Sequence, residues 1–184
     1  AHHPIHVAER AAMLDQLTDG RLEVGTGRSN AYEQLGQGID PRETRAMWEE
    51  SLRMLPKIWQ SDEFSWDGKF WKVPSRRVLP KPFQKPHPRL YLACTQTDSY
   101  DLAADKGIGV LSSATFATTI LAGHVKRYRE RVARSTPVGA SVNSYWGNNV
   151  HGFCGENNAE ARALAALSLK TFFGPDKPYI RDRV

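Results

Sequence analysis

Apolar positions change period along the chain, and the changes predict alternating helices and strands. From Ile5 to Leu17, Ala8, Ala11, Ala12 and Leu14 recur at three- and four-residue steps, the spacing of one helix face. Gly20 stands where a left-handed residue would stop that helix. Arg21 to Gly25 predicts a short strand through Leu22 and Val24, and residues 26–40 a loop. Asp40-Pro41 predicts the start of a second helix, with Asp as N-cap and Pro in the first turn. Met47, Trp48, Leu52, Leu55 and Ile58 or Trp59 then repeat at helical spacing. Residues 61–88 interrupt the alternation: Phe64-Ser65-Trp66 and Lys69-Phe70-Trp71 flank Asp67-Gly68, a two-residue hairpin signal, and a proline-rich connector follows. Beyond it come a strand (89–94), a helix (99–106) ended by Gly107, a strand (108–111) and a long helix (118–134). A strand within 138–153 and an alanine-rich helix (159–173) complete the pattern. Such alternation defines an α/β fold with parallel strands.

Two loops carry candidate chemistry. After the first strand, Gly25 and Gly27 let the backbone turn and approach a ligand, and Arg28 follows at the strand's carboxyl end, where α/β barrels bind their ligands. A guanidinium there presents a fixed fork of donors suited to phosphate; the alternative is a surface ion pair with Glu33 or Glu23. Thr95-Gln96-Thr97-Asp98-Ser99 lies between a strand and a helix start, where unpaired amides attract anions and the Thr95 and Ser99 hydroxyls add donors. The plainer reading is helix capping by Asp98 or Ser99, worth about 1 kcal/mol.

Other groups are open to two readings. His2 and His3, at a predicted strand end, suit proton transfer near neutral pH or simple capping. Asn143, Tyr145, Trp146 and Asn148 suit a pocket wall or ordinary strand packing. Lys69, Lys72, Arg76, Arg77, Lys81, Lys85 and Arg89 form a basic run without an acid, with Trp66, Phe70, Trp71 and Phe83 as the accompanying aromatics. That pattern permits nucleic-acid contact, but the segment carries no nucleic-acid fold signature, and a solvated hairpin and connector is the favoured expectation.

Composition narrows the class. The net charge of +5 in 184 residues permits an anionic ligand without choosing one. Cys94 and Cys154 are too far apart for a metal motif or disulfide framework, which predicts reduced thiols in a cytoplasmic protein. No stretch approaches the roughly 20 apolar residues of a membrane-spanning helix.

The order and spacing of several segments resemble the bacterial luciferase-like monooxygenase family over residues 2–173. They are His2-His3-Pro4-Ile5-His6-Val7-Ala8-Glu9, Leu14 to Asn30, Tyr32 to Gly36, Trp48-Glu49-Glu50, Pro80 to Pro88 and Ala93 to Ala104. The resemblance implies a partial (β/α)8 TIM-type barrel with an inserted hairpin and proline-rich connector at 61–88. A complete barrel needs about 250 residues. The expectation is therefore one incomplete barrel domain over 1–184, entering near the end of the third strand and stopping after the seventh helix. The resemblance also implies reduced FMN as cofactor, held through its phosphate by Arg28, Thr95, Gln96 and Ser99, and dioxygen as co-substrate for oxygenating a small organic molecule. A flavin reductase and a homo- or heterodimer are the implied partners, without nucleic acid or membrane. Deazaflavin-dependent hydride transfer and non-catalytic flavin binding are the family's alternatives. Gln96 replaces a common serine and Ser29 a usual glycine.

Overall fold

The computed structural model describes residues 2–113 and 118–172. Helix α1 (Pro4–Leu17) begins at proline, whose missing N–H costs nothing in a first turn, and buries Ile5, Ala8, Ala11 and Ala12. The small alanines let α1 pack closely on α3 (Thr44–Gln60), whose Trp59 Nε1 donates to the Ala8 carbonyl at 3.0 Å. Asp19 and Gly20 take φ of +50° and +75°, and the Gly20 amide closes on the Asp15 carbonyl, so the expected left-handed stop is present.

Four parallel strands follow in the order β1 (Glu23–Thr26), β4 (Arg89–Cys94), β5 (Gly109–Ser112) and β6 (Trp146–Asn148). Thr26 lies beside Leu92, Leu92 beside Val110, and Ser112 beside Asn148. Val24, Leu90, Leu92, Cys94 and Val110 are buried in the helix-side core with Trp48, Leu52, Leu55, Tyr100 and Tyr128. Helix α4 (Thr97–Asp105) packs on β4, β5 and α5 (Thr118–Val132), with Arg127 and Arg131 paired to Asp101 and Asp105. A separate unit from Val150 onward contains α6 (Asn158–Phe172), whose first amides are capped by the Asn157 side chain.

Three expectations are corrected. The loop expected over 26–40 contains a short helix, α2 (Ala31–Gly36), with Asn30 Oδ1 accepting from the Glu33 amide. Asp40 does not cap α3: its carboxylate takes the Arg42 amide and guanidinium, making a turn, and α3 starts at Thr44. The hairpin is real, but its strands are β2 (Phe64–Asp67) and β3 (Lys72–Arg76), joined through residues 68–71 rather than by Asp67-Gly68 alone. The reason is Glu50, buried on α3, which accepts from Trp66 Nε1, the Phe70 amide and the Trp71 amide at 3.0–3.1 Å and draws the loop onto the helix. A Cβ on Gly68 would stand 2.0 Å from Glu50 Oε1.

Candidate functional site

Because β1 and β4 are parallel neighbours in this register, their carboxyl ends open on the same edge of the sheet. The structure thus brings together the Arg28 loop and the Thr95–Ser99 loop. A Cβ on Gly27 would lie 3.6 Å from the Ala93 Cβ, so the two loops leave their strands close together.

The first loop is held by its backbone. Ser29 takes φ +62°, a left-handed conformation that costs a residue with a Cβ about 1–2 kcal/mol and that glycine adopts freely. Its hydroxyl donates to the Glu33 carboxylate, and the buried Gln34 Nε2 donates to the Arg28 and Ser29 carbonyls. The Arg28 side chain is exposed. Both acids offered as its partners are engaged elsewhere, Glu23 with Arg89 at 3.3 Å and Glu33 with Ser29. Among the described residues no ion pair holds Arg28.

In the second loop Thr95 and Gln96 are exposed, and the N-cap is Gln96 rather than Asp98 or Ser99. Ser99 Oγ accepts from the Gln96 amide and donates to its carbonyl, so this hydroxyl is already bonded within the turn. Asp98 faces Arg45 of α3, with Nη1 3.9 Å from Oδ2. Arg45 also bonds Glu49, which takes Lys106 Nζ at 2.9 Å. Burial opposes the Glu49 charge, but the bonds from Lys106 and Arg45 outweigh it and hold the carboxyl below its ordinary range. Arg45 was not legible as a site residue, because only the packing of α3 beside α4 brings it to this loop. Beneath the loop, burial pushes the Cys94 thiol up to about 12, so it is a packed neutral group.

The sheet's other face is covered by the buried Tyr91 beside Gly25 and Gly109 but is exposed toward the carboxyl edge. There Gly25, Gly27 and Ala93 carry little or no side chain at the carboxyl edge, and the Leu111 side chain lies beside them; a Cβ on Gly25 would come within 3.2 Å of Leu111 Cδ1. Leu111 is 41% exposed and Tyr145 56%. An edge of small residues beside an exposed guanidinium and a helix N-terminus fits a planar group bearing a phosphate.

The remaining candidates divide. His2 lines a cavity of about 450 Å³ between the end of β1, α1, α2 and α3. His3 is the N-cap of α1, its Nδ1 accepting from the Ile5 amide at 3.2 Å and its ring edge-on to Trp71 at 4.8 Å. Burial, then the nearby His6 and Arg76, lower its pKa and keep it a neutral acceptor. Asn143 is buried, donating to the Leu90 carbonyl and accepting from the Tyr145 amide, and Trp146 packs against Tyr100 and Tyr128. Both belong to the core rather than a pocket. In the basic run, Lys69 meets Glu43, Lys72 meets Asp67, Arg89 meets Glu23, and Lys81 caps the end of α3 at the Ile58 and Ser61 carbonyls. Two buried acids that the sequence reading passed over, Glu50 and Asp15, hold the 61–88 insertion; Asp15 accepts from the Gln84 amide and Nε2, both at 2.8 Å. The signal for Asp15 was its place on the stripe of Ala8, Ala11 and Ala12.

Sheet, helices and loops define an α/β protein with a parallel sheet, whose candidate site lies at the carboxyl ends of the strands. The chain belongs to the luciferase-like monooxygenase family, whose sequence profile matches residues 1–182. It is 32% identical over 111 residues to the oxygenase component of a flavin-dependent trigonelline monooxygenase of Acinetobacter baylyi, an alignment covering 59% of this chain and 31% of that protein. The fold superposes on a Streptomyces bottropensis monooxygenase with a TM-score of 0.78 at 26% identity, over 92% of this chain and 52% of that one. It also matches the oxygenating constituent of Pseudomonas putida 3,6-diketocamphane monooxygenase in complex with FMN, with a TM-score of 0.77 at 20% identity, over 94% of this chain and 52% of that one. The chain spans about half the length of these solved structures. No described helix is long and apolar enough to cross a membrane.

Proposed function

We infer that these residues are part of a barrel monooxygenase that uses reduced FMN and dioxygen to oxygenate a small organic substrate. The observation that carries this reading is Arg28, an exposed guanidinium without an ion pair among the described residues, on the same strand edge as the α4 N-terminus and the small residues Gly25, Gly27 and Ala93. Reduced flavin supplies the electrons that activate dioxygen. The chain's own residues bind and orient. Arg28 forks onto the phosphate, while the Gln96–Ser99 turn presents amides to it and Thr95 adds a hydroxyl. Ser99 joins by exchanging its bond to the Gln96 carbonyl for one to a phosphate oxygen. The small residues Gly25, Gly27 and Ala93 would leave room there for the ring system. The whole protein is proposed to work as a homo- or heterodimer in the cytoplasm, with reduced flavin delivered by a separate reductase.

The test is titration of the complete protein and its Arg28→Ala variant with FMN and with riboflavin. Losing a charge-assisted bond worth roughly 1.5–3 kcal/mol weakens FMN binding about ten- to a hundredfold and leaves riboflavin unchanged. Equal FMN affinity in both proteins overturns the phosphate assignment. Tighter binding of a deazaflavin cofactor than of FMN replaces the cofactor, and FMN binding without substrate-dependent oxygen uptake removes the catalysis.

A further inference from the structure

On the sheet face away from the helices, side chains fall into levels, because register sets which residues stand side by side and every second residue points to the same face. One level holds Gly25, Tyr91 and Gly109, direct neighbours across β1, β4 and β5. Tyr145 joins it just before β6, its carbonyl accepting from the Val110 amide at 2.9 Å. Glycine and tyrosine thus alternate, and the glycines make room for the rings: a Cβ on Gly109 would lie 2.4 Å from Tyr91 Cδ1. The next level, at the carboxyl edge, holds Gly27, Ala93, Leu111 and Gly147.

The two tyrosines differ. Tyr91 is buried, with its hydroxyl bonded to Glu23 and Asn143. Tyr145 is more than half exposed and stands edge-on to Tyr91, ring centroids 5.8 Å apart. Its amide donates to Asn143 Oδ1 at 3.1 Å, and Asn143 Nδ2 donates to the Leu90 carbonyl at 3.0 Å, so its backbone is held from below. Its ring leans toward the carboxyl edge: a Cβ on Gly147 would stand 3.3 Å from Tyr145 Cε1 and 3.5 Å from Leu111 Cδ2. Leu111 spans from there to Gly25, two strands away. Tyr145 and Leu111 therefore form one surface above the buried Tyr91, between the small residues Gly27, Ala93 and Gly147. That surface is continuous with the anion site, since Arg28 follows Gly27 and Thr95 lies two residues beyond Ala93. A held aromatic ring and a branched aliphatic side chain, exposed one level below the anion-binding loops, suit a planar aromatic group.

We propose that Tyr145 is the floor residue that touches the ring system of the bound flavin, with Leu111 beside it. This rests on the flavin reading of the Arg28 edge. The phenol ring sets how far the flavin ring descends between the strands, and its contact favours a flat aromatic group over an aliphatic one of the same size.

The experiment is titration of oxidised FMN with the complete protein, read by flavin fluorescence at saturating protein, for the unaltered chain and for Tyr145→Phe, Tyr145→Trp and Arg28→Ala. A phenol or indole in contact with the flavin ring quenches its fluorescence by giving an electron to the excited ring and taking it back, and a phenyl group is too poor a donor to do so. The expected result is strongly quenched FMN in the unaltered protein and in Tyr145→Trp, and several-fold brighter bound FMN in Tyr145→Phe. Arg28→Ala needs more protein to reach saturation and is then quenched as before. Bound FMN that is bright in the unaltered protein or in Tyr145→Trp, or equally dim in Tyr145→Phe, overturns the contact and leaves flavin binding standing. Failure of the unaltered protein to bind FMN overturns the flavin reading and the floor with it.

Discussion

Glu50 and His3 show how single side chains fix the surroundings of the site. Burial alone would raise the Glu50 pKa, but the bonds from Trp66, Phe70 and Trp71 outweigh it and keep the carboxylate charged below its ordinary range. Glu50→Gln turns an amide NH₂ toward donors and leaves some unsatisfied, so a loss of about 1–3 kcal/mol is expected in chemical denaturation. His3 titrates with its own sign. Its pKa is lowered in the folded chain, so the unfolded state takes up the proton first. Its stabilising contribution is complete above the unfolded value of 6.5 and is lost as pH falls below it. Melting temperature measured from pH 8 to pH 5 should fall more steeply for the unaltered protein than for His3→Asn, which keeps a capping side chain without a titrating ring.

At the scale of elements, the insertion is attached by a few polar anchors. Asp15, fully buried on α1, holds Gln84, which also reaches the Leu22 carbonyl just before β1. Asp15→Ala leaves these donors unpaired, and we expect a loss of about 1–3 kcal/mol with faster chymotryptic cleavage after the exposed Phe83. Unchanged cleavage would mean that the connector is held by other contacts. The helices and strands themselves follow periodicity, and most lie within one or two residues of their expected limits. Two of the misses share one cause: a side chain took backbone donors that the local pattern had assigned otherwise. Asp40 bonded Arg42 instead of capping, and Glu50 opened a two-residue turn into a longer loop.

For the whole molecule, the sheet has four parallel strands among the described residues. β1 stands at one end of the strand order with its outer edge unpaired, and Leu111 and Tyr145 are exposed on the face away from the helices. An unpaired edge beside exposed apolar groups favours association. Residues 1–184 expressed alone should therefore self-associate in sedimentation velocity. A concentration-independent monomer with one cooperative melting transition would remove this expectation.

Local pattern alone determined the class of fold, the left-handed stop at Gly20, the strand-end placement of Arg28 and the turn before α4, because periodicity, caps and glycines act over a few residues. It could not decide which charged groups would meet. Arg45 reaches Asp98, Glu23 takes Arg89 rather than Arg28, and His3 becomes a cap resting on Trp71. Each outcome depends on strand register and helix packing between segments far apart in the chain. Coulombic and hydrogen-bonding forces act over a few ångströms of space, so only the tertiary structure could select the partners.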